Sequence, residues 1–106
     1  IIRVDIAAAD YYYTKFTHPN SFSSAPTLND GVTWTGSTVL SSHSVAGMSA
    51  YEAAKVVVSN TTKYTMTLAG STWFKVASTA SYGSADNTAL PAGNYTAMIV
   101  AECIAK

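Results

Sequence analysis

The residues of this chain that could carry out nucleophilic or acid–base chemistry are few and lie far apart. Its two histidines, His18 and His43, both lie in stretches rich in serine, which brings a Ser–His–Asp grouping to mind. A nucleophilic serine often sits in a Gly-x-Ser-x-Gly turn, and the nearest match, residues 47–51, ends in Tyr51 instead of glycine. The sequence therefore predicts two surface histidines and no hydrolytic triad.

Side chains that could bind a metal or transfer a proton are equally scattered. Two histidines and a single cysteine, Cys103, at wide spacing do not make a zinc site. The carboxylates form no close pair for acid–base catalysis; they are Asp5, Asp10, Asp30, Glu52, Asp86 and Glu102. We therefore predict no catalytic residue, no metal and no cofactor, and interpret the protein as non-enzymatic.

The composition indicates a folded domain with little charge. Six basic and six acidic residues cancel among the 106 residues, and 11% of the chain is charged, against about 25% in ordinary soluble domains. An apolar content of 48% argues against disorder, and the neutral balance gives no electrostatic reason to expect nucleic acid as a partner. No apolar run approaches the roughly 20 residues that span a bilayer. Ile1 in place of methionine leaves open a removed leader or a cut chain.

Alternation of apolar and polar residues predicts short strands separated by turns. In the first six residues Ile2, Val4 and Ile6 fall on one side, which indicates a half-buried strand. Further strands are predicted over residues 11–16, 31–40 with a break at Gly36, 56–58, 63–68, 72–77 and 94–104, and a helical turn over 48–55. Residues 63–77 are predicted to form a hairpin.

About seven short strands in 106 residues predict an all-β fold. We expect a single domain over residues 1–106, either an immunoglobulin-like β-sandwich or a jelly roll. Within it, Tyr12 is expected in the core with Tyr11 and Tyr13 at the surface, and Trp34 and Trp73 as core or interface anchors.

The C-terminal segment carries the clearest signal of a turn followed by a strand. Pro91, Gly93 and Asn94 favour a tight turn before an apolar run. One face of the strand would carry Tyr95, Ala97, Ile99, Ala101 and Cys103, and the other Thr96, Met98, Val100, Glu102 and Ile104. Because both faces are largely apolar, we expect the strand to be covered on both sides, with Cys103 as a small buried hydrophobe.

In this segment the chain resembles subunits of bacterial chaperone–usher pili, whose sequences often end in such a turn and a threonine-containing strand. The residues that carry the resemblance are Pro91, Gly93, Asn94, Tyr95 and Thr96. The resemblance implies an incomplete immunoglobulin-like sandwich, completed by the N-terminal segment of the next subunit. This is a form of strand addition, in which backbone hydrogen bonds give affinity and alternate side chains give register.

Carried over to this chain, the resemblance implies that residues 1–9 are exchanged between subunits. Ile2, Val4 and Ile6 would then fill the groove of a neighbour. The groove of the chain itself would be bordered by Tyr95, Ile99 and Cys103. The implied partners are copies of the chain, other structural subunits and a periplasmic chaperone, and the implied location is extracellular, at the cell surface.

Two other classes of function fit the same sequence. A virion protein that decorates or cements a phage capsid, or forms part of a tail, shares the small size, the low charge and the lack of catalytic residues. Its N-terminal strand would pair within its own domain or reach a neighbour. A carbohydrate-binding module is the less favoured alternative, since it would need tryptophan or tyrosine exposed in a groove.

Overall fold

The computed structural model describes residues 1–9, 12–24, 32–82 and 93–106. These residues form seven strands in two antiparallel sheets and one short helical segment, which confirms the predicted all-β sandwich. The strands are β1 (Ile2–Ile6), β2 (Tyr12–Thr17), β3 (Val32–His43), β4 (Val56–Val58), β5 (Thr61–Met66), β6 (Gly70–Tyr82) and β7 (Val100–Ala105). The helical segment is a 3₁₀ turn at Ala46–Ala50 followed by α1 (Tyr51–Ala54).

The strand order differs from that of an immunoglobulin constant domain only at the two ends of the chain. One sheet has the order β1-β6-β3 and the other the order β4-β5-β2-β7. In a constant domain the first strand lies in the sheet of the second, and the seventh in the sheet of the sixth. Here β1 pairs with β6 and β7 pairs with β2, both antiparallel. The first and last strands have therefore exchanged sheets, and each is an edge strand.

The core lies between the two sheets, where alternate residues of the strands face each other. Its centre is formed by Phe16, Tyr64 and Phe74, whose ring centroids are 4.6 to 6.2 Å apart. Tilted and edge-to-face pairs at such distances are favourable. The buried apolar side chains are Ile6, Phe16, Met48, Tyr51, Tyr64, Met66 and Phe74.

The segment predicted as a hairpin, residues 63–77, crosses from one sheet to the other. β5 pairs with β2 and β4, whereas β6 pairs with β1 and β3, so the hairpin prediction is wrong although both strands exist. The Tyr51 hydroxyl fixes the crossing by accepting hydrogen bonds from the backbone N–H groups of Thr67 (3.1 Å) and Leu68 (3.0 Å). Alternation cannot distinguish the two connections, because both need only two amphipathic strands and a turn.

The predicted helical turn over 48–55 and the predicted strand over 56–58 are both confirmed. Met48 and Tyr51 are buried and pack into the core. Gly70 begins β6 with a φ of 142°, and an added Cβ there would lie 2.8 Å from Met48 Cε. The helical segment thus packs directly against the point where the chain enters the second sheet.

β3 runs without interruption through Gly36, where the sequence predicts a break. The glycine is needed because His18 packs against it: an added Cβ would lie 2.4 Å from His18 Cγ. His18 is 5% exposed, which corrects the prediction of a surface histidine. Its Nδ1 lies 2.9 Å from Ser78 Oγ and its Nε2 2.8 Å from Thr38 Oγ1. These two hydrogen bonds tie the end of β2 to the opposite sheet. Burial lowers the pKa of this imidazole.

Some predicted features lie outside the described residues. They include Tyr11 of the tyrosine run and Pro91 of the predicted turn. Of the other tyrosines in that run, Tyr12 is half-buried against the core, and Tyr13 lies on the outer face of the four-stranded sheet.

Candidate subunit interface at the β1–β7 edge

β1 is the edge strand of the three-stranded sheet and pairs with β6 of its own chain. Ile6 is buried, Ile2 and Val4 are half-buried, and Arg3 and Asp5 are exposed, which confirms the predicted alternation. Strands with one apolar face pack that face on a core and leave the other in solvent. The three isoleucine and valine side chains therefore complete the core of their own chain.

The exposed face of β1 is organised by charged and polar groups. Arg3 Nε donates a hydrogen bond to Asp5 Oδ1 (2.9 Å), and Ser71 Oγ donates another to the same oxygen (2.6 Å). The hydrogen bond from Ser71 is the main cause that lowers the pKa of Asp5, and that from Arg3 adds to it. The Arg3 guanidinium also lies 5.3 Å from the ring centroid of Trp73. These contacts hold β1 flat on β6.

β7 is the edge strand of the four-stranded sheet and is shorter than the sequence predicts. It begins at Val100, not near Tyr95, and pairs with β2 so that Cys103 lies opposite Thr14. Before it, residues 93–99 contain only an isolated bridge, in which Thr96 N–H donates to Ser24 O (2.9 Å). The apolar run therefore starts as an irregular segment and becomes a strand only where β2 is available to pair with it.

Neither face of β7 is covered, which corrects the expectation of a strand buried on both sides. Ile104 is half-buried and every other residue of β7 is exposed. Cys103 is an exposed free thiol and not a buried hydrophobe. In the described parts of the chain the facing sheet has three strands against four, and its edge strand β1 leaves β7 exposed.

The uncovered space between β1 and β7 is a groove of about 300 Å³ along one side of the sandwich. We call it the edge groove; it is lined by residues 2–5 of β1, Thr14 of β2 and residues 101–103 of β7. Among the described residues, each of the two flanking strands has a sheet neighbour on one side only. Their other edges present backbone N–H and C=O groups that can pair with an additional strand.

The structure brings some of the predicted interface residues together and separates others. Ile2, Val4 and Cys103 all line the edge groove, whereas Ile6 is buried in the core. Tyr95 instead packs on Phe22, with ring centroids 5.1 Å apart, and Phe22 packs on Trp34 at 4.7 Å. Ile99 is 40% exposed and lies before β7 begins. Neither Tyr95 nor Ile99 is among the residues that line the groove.

The free edge of β3, on the opposite side of the sandwich, is capped at Thr38 and Leu40 by side chains that sequence reasoning missed. Leu40 N–H donates to Glu52 Oε1 (2.8 Å), and Lys55 Nζ donates to Thr38 O (2.8 Å). Glu52 and Lys55 also form an ion pair, and the Tyr64 hydroxyl lies within hydrogen-bond distance of Glu52 and Thr38. Burial opposes ionisation of Glu52, but these hydrogen bonds outweigh it and lower its pKa.

The remaining polar groups of the fold do not form a reactive cluster. Among the described residues, no three His, Cys, Asp or Glu side chains lie close enough together to hold a metal ion. Thr14 is 1% exposed, and its Oγ1 finds no hydrogen-bond partner in the described parts of the chain. It lies under the edge groove, opposite Cys103.

Comparisons with known proteins provide no further assignment. No protein-family model, curated protein or solved structure matches the chain. Within the described residues, the helical segments are too short to cross a bilayer.

Proposed function

We propose that this chain is a non-enzymatic structural subunit of a large protein assembly and binds its neighbours by strand addition at the edge groove. The observation that carries the proposal is that, in the described parts of the chain, β1 and β7 leave unpaired edges on one side of the sandwich, while Glu52 and Lys55 cap Thr38 and Leu40 on the edge of β3. Uncapped sheet edges are the ordinary route to strand addition. Met98, Ile99 and Val100 add exposed apolar surface just before and at the start of β7.

A pilus-like subunit is the form of assembly that we prefer. β1 is followed by the exposed residues 7–9 and places Ile6 in the core. If β1 were exchanged between copies, the same contacts with β6 would form between two molecules, as in domain swapping. The partners would be copies of the chain, other structural subunits and a periplasmic chaperone, and the assembly would be extracellular.

A virion protein is the second candidate, and the pairing of β1 with its own β6 favours it. A capsid decoration, cement or tail protein would keep β1 in its own sandwich and fold without a partner. It would then use the edge groove to bind a neighbouring virion subunit.

Exchange of β1 can be tested by removing residues 1–9 and supplying them as a separate peptide, because an exchanged strand makes its contacts with β6 of another molecule. A variant that lacks residues 1–9 is compared with the full chain, each with and without a synthetic peptide of residues 1–9. In the pilus-like form, the shortened chain gains a cooperative melt only with the peptide, and the full chain polymerises. If the full chain melts cooperatively as a monomer and ignores the peptide, exchange is excluded and the virion-like form stands.

The groove itself is tested by blocking it. Ala101→Arg places a long charged side chain in the groove, and Ala77→Arg places the same side chain on the exposed face of β6 as a matched control. We expect only Ala101→Arg to prevent association of the chain with itself or with a capsid lattice, measured by light scattering. Equal association of both variants would show that the edge groove is not a subunit contact.

A further inference from the structure

The outer face of the four-stranded sheet has a composition that its role in folding does not explain. This face lies away from the core and contains a depression of about 470 Å³. It is built from cross-strand rows set by the pairing of β4, β5, β2 and β7. The rows are Val58–Thr61–Thr17–Val100, then Val56–Lys63–Lys15–Glu102, then Thr65–Tyr13–Ile104.

Positive charge is concentrated in the middle of this face. Lys15 and Lys63 lie directly opposite each other, and like charges in that position destabilise a sheet. Lys63 Nζ lies 4.5 Å and Lys106 Nζ 5.4 Å from the ring centroid of Tyr13. Since opposed residues have Cβ atoms about 5 Å apart, one carboxylate can accept hydrogen bonds from both Lys15 and Lys63.

Apolar side chains flank the two lysines. Val56 and Val58 of β4 are 51% and 63% exposed. Ile104 is half-buried beside Tyr13 in the next row. A ligand of this face therefore needs a carboxylate at the centre and apolar groups on both sides of it.

We propose that this face is a docking surface for an extended acidic segment of a partner protein with the pattern apolar-x-acid-x-apolar. Successive rows of the sheet are two residues apart, about 6.7 Å, which equals the spacing of alternate side chains in an extended peptide. A peptide parallel to the strands would place its acid over Lys15 and Lys63. Its apolar residues would then lie beside Val58 and over Tyr13.

The chain itself contains one example of this arrangement. The outward residues of β7 are Val100, Glu102 and Ile104, an apolar-acid-apolar series, and Glu102 lies opposite Lys15. The docked segment would place a second carboxylate over the lysines, as Glu102 does beside Lys15. The cross-strand neighbours of Lys63 are Val56 on one side and Lys15 on the other, and neither is acidic.

The same residues disfavour two other ligands of this face, a polyanion and a second copy of the chain. A polyanion such as a sulfated glycan needs a continuous track of cations, but here the row of Lys15 and Lys63 ends in Val56 and Glu102, and Lys106 is the one further lysine among the residues that line the depression. A second copy packed face to face about a two-fold axis through the middle of the sheet would oppose Lys15 and Lys63 across the interface, which costs free energy. An acidic peptide with flanking apolar residues satisfies both the lysines and the valines.

The proposal is tested on the full chain with a short fluorescein-labelled peptide that contains Leu-Ser-Glu-Ser-Leu. Fluorescence anisotropy measures binding, and backbone amide shifts in NMR locate it. One control peptide has Gln in place of Glu, and a second has the acid moved by one residue. We expect amide shifts in β2, β4 and β5, and about tenfold weaker binding of both control peptides, as expected for the loss of two partly exposed ion pairs. No binding, or equal binding of the Gln peptide, would overturn the proposal.

Protein variants give an independent test. Lys15→Gln with Lys63→Gln removes the charged centre, and Lys75→Gln on the outer face of β6 is the matched control. The double variant should bind the peptide about tenfold more weakly and melt no lower than the parent chain, because the opposed lysines repel each other. An equal effect of Lys75→Gln contradicts the proposal. So does heparin binding that exceeds peptide binding, or self-association that the double variant loses.

Discussion

Gly36→Ala is the substitution for which the structure predicts the largest effect from the smallest change. An added Cβ would lie 2.4 Å from Cγ, 2.7 Å from Nδ1 and 2.8 Å from Cβ of His18. Real Cβ atoms essentially never approach other atoms so closely, so one of the two residues must move. His18 cannot swing aside freely, because Ser78 and Thr38 hold its two ring nitrogens.

The expected cost follows from these contacts. Forcing an extra methyl group against a packed side chain, here the buried His18, costs about 1–3 kcal/mol. Moving His18 would also leave a buried polar group without its partner, at about 1–3 kcal/mol. Alanine in place of glycine in a strand returns about 0.5–1 kcal/mol. We therefore expect Gly36→Ala to lower the free energy of unfolding by about 3 kcal/mol, a large part of the 5–15 kcal/mol typical of a domain.

Urea unfolding followed by tryptophan fluorescence measures this loss, with Gly47→Ala as the matched control. At Gly47 the nearest atom to an added Cβ is the flexible end of Leu68, at 2.9 Å, so a cost within about 1 kcal/mol is expected. A double-mutant cycle with His18→Ala isolates the contact, because the clash disappears when the ring is removed. The reasoning is refuted if Gly36→Ala costs the same with and without His18.

Three further predictions concern the polar groups around the core. Burial lowers the pKa of His18, so on acidification the unfolded chain takes up a proton at a higher pH than the folded chain does. The free energy of unfolding should therefore fall as pH drops through about 6.5. His18→Gln should flatten that pH dependence in urea titrations. Burial and, to a smaller extent, the hydrogen bond to Glu52 raise the pKa of Tyr64. The free energy of unfolding should therefore fall as pH rises above about 10, where the unfolded chain loses this proton and the folded chain keeps it. Tyr64→Phe should remove this alkaline loss, and an unchanged pH profile in the variant would contradict the prediction. Lys55→Ala removes one of the two donors to Thr38 O on the edge of β3, the other being the Tyr64 hydroxyl, and should promote self-association in light scattering, whereas Lys75→Ala should not.

Local patterns predicted most of the strands correctly because alternation depends on only a few neighbouring residues. The segment from Ile2 to Ile6 alternates in sequence and also in burial, and the valine run at 56–58 forms a strand as its β-branched side chains favour. The helical turn before it is equally local. For these segments, the local sequence is compatible with only one type of secondary structure.

The candidate interface could be predicted only in part, because burial and sheet membership depend on residues distant in sequence. The sequence predicted Ile2, Val4 and Cys103 as contact residues, and all three line the edge groove. It also predicted a covered C-terminal strand, and that strand is open because the facing sheet ends at β1. The caps from Glu52 and Lys55 were not predicted, since no local signal shows that α1 lies beside β3.

The sequence by itself determined an all-β chain with low charge and the positions of most of its strands, since side-chain alternation and turn propensity are encoded over a few residues. Only the tertiary structure decided which sheet each strand joins, and with it the exchange of β1 and β7, the burial of His18 against Gly36 and the edge groove. Those features depend on contacts between residues up to about ninety positions apart, such as Tyr12 with Ala105, which local patterns do not encode.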